Sequence, residues 1–160
     1  MERIDRNMII LLADDDPDDR LLVWEAVRDG GVPGELHTVN DGEELLDYLR
    51  RRGKFTSSKS HPRPDLILLD LNMPRKDGRE TLAEIKQDPA LRGIPVVAFT
   101  TSSAWDDVRR AYDLGVCSYI TKPQTFSALV ELMKTLGLYW GKCVVLPSRE
   151  EESKHGGSPS

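Results

Sequence analysis

MIILLADDDP, residues 8–17, is the stretch that decides how this chain folds. Six apolar residues, Met8 to Ala13, run without alternation and stop on Asp14, Asp15 and Asp16. A strand buried on both faces, as in the middle of a parallel sheet, reads in this way. Pro17 suits the first turn of a following helix, and Asp16 suits its N-cap. Asp18 and Asp19 add acid at the positive end of that helix. Leu22, Val23, Ala26 and Val27 are expected to share its inward face, and Gly30-Gly31 to stop it.

The same alternation continues outward. Glu35–Val39 reads as a second strand, and Asn40-Asp41-Gly42 turns into a helix carrying Leu45, Leu46, Tyr48 and Leu49. Lys54–Pro64 is polar and rich in Ser and Pro, which predicts an exposed loop. Leu66–Leu69 is the next buried strand and ends on Asp70. Arg79–Gln87 follows as a helix with Leu82 and Ile85 inward. Pro95–Phe99 is a strand ending on Thr100, Ala104–Leu114 a helix, Val116–Ile120 a fifth strand and Thr125–Leu136 a fifth helix. Five strands alternating with five helices predict an α/β fold, a doubly wound parallel sheet covered on both faces.

Composition narrows the class. The chain has 160 residues, enough for one domain with a real core and short for two. A net charge of −5 argues against a general nucleic-acid binder. No apolar run approaches the roughly 18–20 residues that cross a bilayer, and no signal peptide is legible. Cys117 and Cys143 lack metal-ligand spacing and read as single buried or half-buried thiols in a reducing compartment. A cytoplasmic protein without a membrane or nucleic-acid partner is expected. The organisation expected is one domain over residues 1–147, with an extension from about residue 138. A polar tail, residues 148–160, is expected to be disordered.

Doubly wound sheets place their sites beyond the carboxyl ends of the strands. There the sequence puts Asp14 and Asp15 after strand one, Asp70 after strand three, Thr100 after strand four and Lys122 just past strand five. Three carboxylates brought together repel one another unless a cation compensates. Oxygen ligands in this number suit Mg²⁺, which binds through one or two carboxylates and keeps waters, with Mn²⁺ as a substitute. Lys122 offers a positive charge and Thr100 a hydroxyl to phosphate oxygens. An aspartate can itself be the nucleophile toward phosphorus and form an acyl phosphate. His37, His61 and His155 are scattered in a strand, a loop and the tail, and none is placed as a ligand or base.

ILLADDDPDD, LILLDLNMPRKDG, IPVVAFTTSS and SYITKP together resemble the response-regulator receiver family, over roughly Asn7 to Leu138. The resemblance implies a flavodoxin-like sheet of order 2-1-3-4-5 and Asp70 as phosphoacceptor. It implies Asp15 and Asp70 as direct metal ligands, Asp14 acting through water, and the backbone carbonyl of Asn72 completing the set. Thr100 and Lys122 would contact the phosphoryl group, Tyr119 would be the aromatic switch, and the bond before Pro123 would be cis. Thr100-Thr101-Ser102, the long connection before strand three and the C-terminal LYWGKCVVLP look like the phytochrome-associated single-domain receivers. This implies a sensor histidine kinase of the bacterial phytochrome type as partner.

Leu21 and Trp24 lie on the helix-one side opposite Val23 and Val27, where the family docks its kinase. Phe126, Val130 and Met133 form part of a broad apolar arc on helix five, and Tyr139 and Trp140 follow. They are expected to form a homodimer surface, with self-capping in a monomer as the alternative. The function expected is that of a single-domain response regulator, which catalyses only its own phosphorylation and slow dephosphorylation. A phosphoryl shuttle or sink in a relay is the first alternative. A phosphatase of the haloacid-dehalogenase type is the second, disfavoured because it needs an acid where Asn72 stands.

Overall fold

In the computed structural model, residues 7–73 and 77–146 are described. The sequence of the expected tail, 148–160, including His155, lies outside them. Five strands, β1 (Met8–Ala13), β2 (Gly34–Val39), β3 (Leu66–Leu69), β4 (Val96–Thr100) and β5 (Ser118–Thr121), alternate with five α-helices. These are α1 (Pro17–Asp29), α2 (Gly42–Leu49), α3 (Gly78–Gln87), α4 (Trp105–Leu114) and α5 (Phe126–Leu138). All strand pairs are parallel and the order is β2-β1-β3-β4-β5, which is the fold class that the sequence predicts.

Every residue of β1, β3 and β4 is buried, as their unbroken apolar runs require. Successive side chains leave a strand on opposite faces, so one run feeds two cores. Leu11, Ile67, Leu69, Val96 and Ala98 pack with Leu45, Leu82, Ile85 and Ala111 from α2, α3 and α4. Ile10, Leu12, Leu68, Val97 and Phe99 pack with Val23, Ala26 and Val27 of α1 and Leu129, Met133 and Leu136 of α5.

Aspartates cap the first three helices. Asp16 caps α1 by accepting the Asp18 N–H at 2.9 Å, with Pro17 in the first turn. Asp41 does the same for α2 through Glu44 N–H at 2.8 Å, and Asp77 for α3 through Arg79 N–H at 2.7 Å.

The packing corrects several sequence readings. Leu22 is not on the inward face of α1: it is exposed with Leu21 and Trp24, because α5 covers only the stripe of Val23, Ala26 and Val27. Met133 is not a surface residue but belongs to the core at 1% exposure, one turn from Leu129 and close to Leu136. Val130 and Trp140 are half-buried against the same core, while Phe126 and Tyr139 are exposed. The polar loop after α2 is anchored, because Phe55 is buried against Tyr48 and His61 with ring centroids 5.2 and 5.0 Å away. Tyr48 donates to the Pro62 carbonyl at 2.8 Å, and burial pushes its phenol up to about 12. Cys117 and Cys143 are at the surface, with the Cys117 thiol turned back onto the Val96 carbonyl. No helix among the described residues is long and apolar enough to cross a membrane.

Candidate functional site

The parallel register levels the carboxyl ends of the central strands: Ala13 pairs with Leu69, Leu69 with Ala98, and Thr100 with Thr121. The residues that follow therefore meet. Asp70 donates its N–H to the Ala13 carbonyl at 3.0 Å, which extends the β1–β3 ladder by one step and sets the two acids side by side. One carboxylate oxygen each from Asp14, Asp15 and Asp70 lies within 4.8 Å of the others. Asp14 is fully buried and Asp70 nearly so, while Asp15 is open to solvent.

Each buried acid is held from one side by backbone. Asp14 Oδ1 accepts the Asp16 N–H at 3.0 Å, and Asp70 Oδ1 accepts the Asn72 N–H at 3.0 Å. Arg20 reaches back to the Asp14 carbonyl at 2.7 Å and fixes the turn from β1 into α1. The other oxygens of Asp14 and Asp70 turn to Lys122, whose Nζ is 2.7 Å from Asp14 and 3.0 Å from Asp70. A third carboxylate, Asp19, reaches the same nitrogen at 2.9 Å.

The charges explain the protonation states. Burial pushes the Asp14 carboxyl above the usual carboxylate range, although the hydrogen bond from Lys122 opposes it. Burial also disfavours the Lys122 ammonium, but its bonds to Asp14, Asp19 and Asp70 outweigh this and lift it above the ordinary lysine range. Three carboxylates, Asp14, Asp19 and Asp70, thus share a single ammonium, and Asp15 lies beside Asp14 and Asp70. Hard oxygen donors with surplus negative charge and an open side toward Asp15 are the donor set that fits Mg²⁺ or Mn²⁺.

Thr100 is buried at the end of β4, and its hydroxyl accepts from the Asn72 side-chain amide at 3.1 Å. Tyr119 is half-buried and donates to the Ser102 carbonyl at 2.7 Å, tying β5 to the loop after Thr100. Burial raises its phenol above the ordinary tyrosine range. From that loop the Ser102 hydroxyl donates to Asp107 at 2.6 Å, and Asp107 pairs with Arg79 at 3.3 Å. The loop that carries the strand-end threonine is thus tied to α3, α4 and β5 together.

One expectation fails here. No cis peptide occurs among the described residues, and the Lys122–Pro123 bond is trans. Lys122 donates its N–H to the Thr100 carbonyl at 2.8 Å and continues the β5 ladder, with the trans bond favoured by about 0.5–1 kcal/mol even before proline. Asp19 was not singled out by the sequence, since a run of acids does not say which of them turns toward the sheet. Trp105, 74% exposed at the start of α4, was also missed. Leu21 and Trp24 are exposed on α1, and the Arg28 guanidinium lies 4.9 Å from the centre of the Trp24 ring.

Residues 10–134 match the sequence model of the response regulator receiver domain. The chain belongs to that family. This receiver is 43% identical over 140 residues to the response regulator Rcp1 of Synechocystis, an alignment covering 88% of this chain and 93% of Rcp1. The crystal structure of the phosphorylated cyanobacterial phytochrome response regulator RcpA superposes with a TM-score of 0.80 at 46% identity, over 89% of this receiver and 99% of that chain. The Mn²⁺-bound form of Rcp1 superposes with a TM-score of 0.77 at 42% identity, over 88% and 99%. The chain is therefore a phosphoryl-accepting receiver of a two-component system, close to phytochrome response regulators.

Proposed function

We propose that this receiver takes its phosphoryl group on Asp70 from a sensor histidine kinase of the phytochrome type, in the cytoplasm and with Mg²⁺ bound. The observation that carries the assignment of Asp70 is its geometry. It is the strand-end carboxylate that shares Lys122 with Asp14, lies within metal-ligand reach of Asp14 and Asp15, and has Thr100 at the end of the neighbouring strand β4. An oxygen of Asp70 attacks phosphorus in line as the bond from phosphorus to the donor histidine nitrogen breaks. Lys122 meets the charge on the phosphoryl oxygens, and Thr100 exchanges the Asn72 amide for one of them. Asp15, Asp70, the Asn72 carbonyl and, through water, Asp14 would hold the cation, which supplies charge neutralisation at the phosphoryl oxygens.

As Thr100 moves, the Ser102 loop moves with it, and Tyr119 follows through its bond to the Ser102 carbonyl. Leu21 and Trp24 form the kinase-docking patch. Phe126 and Tyr139, flanked by Val130 and Trp140, form a homodimer surface, with the segment from about residue 138 as an extension of the receiver. Turnover of free phosphoesters is disfavoured, because Asn72 stands at the position where a phosphatase of the haloacid-dehalogenase type needs an acid.

Incubation with acetyl phosphate and Mg²⁺ is expected to add one phosphoryl mass, labile to hydroxylamine, and Asp70→Asn to add none. A wild-type chain that stays unmodified, with a phytochrome kinase supplied as well, would sink the proposal. Metal binding has its own readout. Mg²⁺ at about a hundred times its dissociation constant is expected to stabilise the metal-free protein by about 2.7 kcal/mol. That corresponds to a rise of roughly 5–10 °C in Tm. Asp15→Asn is expected to lose most of it. An unchanged shift in the variant would remove Asp15 from the ligand set.

A further inference from the structure

Lys122 is shared among more acids than phosphoryl binding requires. An ammonium has three protons, and here each has its own carboxylate: Asp14 at 2.7 Å, Asp19 at 2.9 Å and Asp70 at 3.0 Å. The three acids come from the end of β1, the first turn of α1 and the end of β3, so they do not answer alike when a phosphoryl group arrives. Asp14 is fully buried and fixed from its other side by the Asp16 N–H. Asp70 becomes part of the acyl phosphate, and its hold on Lys122 passes to the new phosphoryl oxygens. Asp19 has no such exchange. It keeps its charge, its place on the same nitrogen and a side chain that is one-third exposed.

Accepting the roles given above to Asp70 and Lys122, we infer that Asp19 is a positioning residue that holds Lys122 back from the phosphoryl group and so weakens retention of that group. Two effects of one charge point the same way. The Asp19 carboxylate shares an ammonium that the phosphoryl oxygens need, and it lies on the same nitrogen as the acid that carries the anion, which it repels. A pair confined to the surface would have little influence, as with Arg28 and Asp29, whose side chains are 60% and 46% exposed. Lys122 is 12% exposed, so solvent screens its pairing with Asp19 far less. Asp19 thus sets a ceiling on occupancy of the site without touching the reacting atoms.

The test titrates fluoroberyllate, a phosphoryl mimic, into the full chain at saturating Mg²⁺, using the wild type, Asp19→Asn, Asp19→Ala and Asp19→Glu. Asn and Ala are expected to tighten fluoroberyllate binding by about fivefold, and Glu to restore an affinity near the wild type. Mg²⁺ titrated alone should bind these two neutral variants more weakly, since they remove a negative charge near the cation. Opposite signs for anion and cation mark a charge effect, whereas a loosened fold would weaken both. Fluoroberyllate affinity that is unchanged or lowered in Asn and Ala overturns the role of Asp19 and leaves Asp70 standing. A wild type that binds no fluoroberyllate overturns the assignment of Asp70 and this inference with it.

Discussion

Lys122→Met is expected to cost the metal-free protein about 3 kcal/mol of stability at neutral pH, because it leaves buried carboxylates without their counter-charge. Methionine keeps most of the volume, so the loss tracks charge rather than a cavity. The pH dependence follows from Asp14, whose folded carboxyl already lies above its ordinary range through burial. A group raised in this way favours the folded state below its unfolded pKa and loses that contribution as pH rises through the folded value. The deficit of the variant should therefore be largest near pH 7 and shrink on acidification, as Asp14 takes up a proton and no longer needs the ammonium. At the alkaline end, Lys122 is itself raised above the unfolded value of about 10.4, so its contribution is complete below that pH and fades only above it. Urea unfolding at pH 5 and pH 7 without metal measures the difference. An equal deficit at both would show that packing, not charge, is at stake.

Gly78→Ala is expected to be about as damaging, for a steric reason. A Cβ at Gly78 would lie 2.6 Å from the Asp70 carbonyl oxygen and 2.6 Å from the Leu71 Cα. Both are backbone, so neither can turn aside, and the start of α3 or the end of β3 must move. About 3 kcal/mol of destabilisation follows, in the range of overpacked interiors. The displaced segment is the one that presents Asp70, so phosphorylation by acetyl phosphate should slow as well. A variant with wild-type stability and rate would mean that this close approach is dispensable.

Much of this fold was legible because its strands are unambiguous. MIILLA and LILL have no polar interruption, and each ends on an acid that cannot follow them into the core. The strand-end acids and Thr100 could be placed for the same reason: where a buried run stops, a polar side chain emerges at the edge of the sheet. Helix faces were harder to read. Leu22 and Val23 are adjacent and equally apolar, and only the line along which α5 lies decides which of them is covered. The broad arc of α5 concealed Met133 in the core for a similar reason. Phe55 was lost in a polar stretch, because one aromatic anchor has no periodicity. Asp19 was lost among five acids in six positions, since its meaning lies in a lysine from the far end of the chain.

That distance has a consequence during biosynthesis. Lys122 is 108 residues from Asp14 and 52 from Asp70 along the chain, and it sits beyond β5, the last strand among the described residues. As the polypeptide leaves the ribosome, β1 and β3 and their acids exist well before the ammonium that will neutralise them. Until β5 docks on β4, the carboxyl ends of the half-built sheet repel one another. The chain's own counter-charge arrives only with β5, so closing that edge of the sheet and neutralising its acids are a single event.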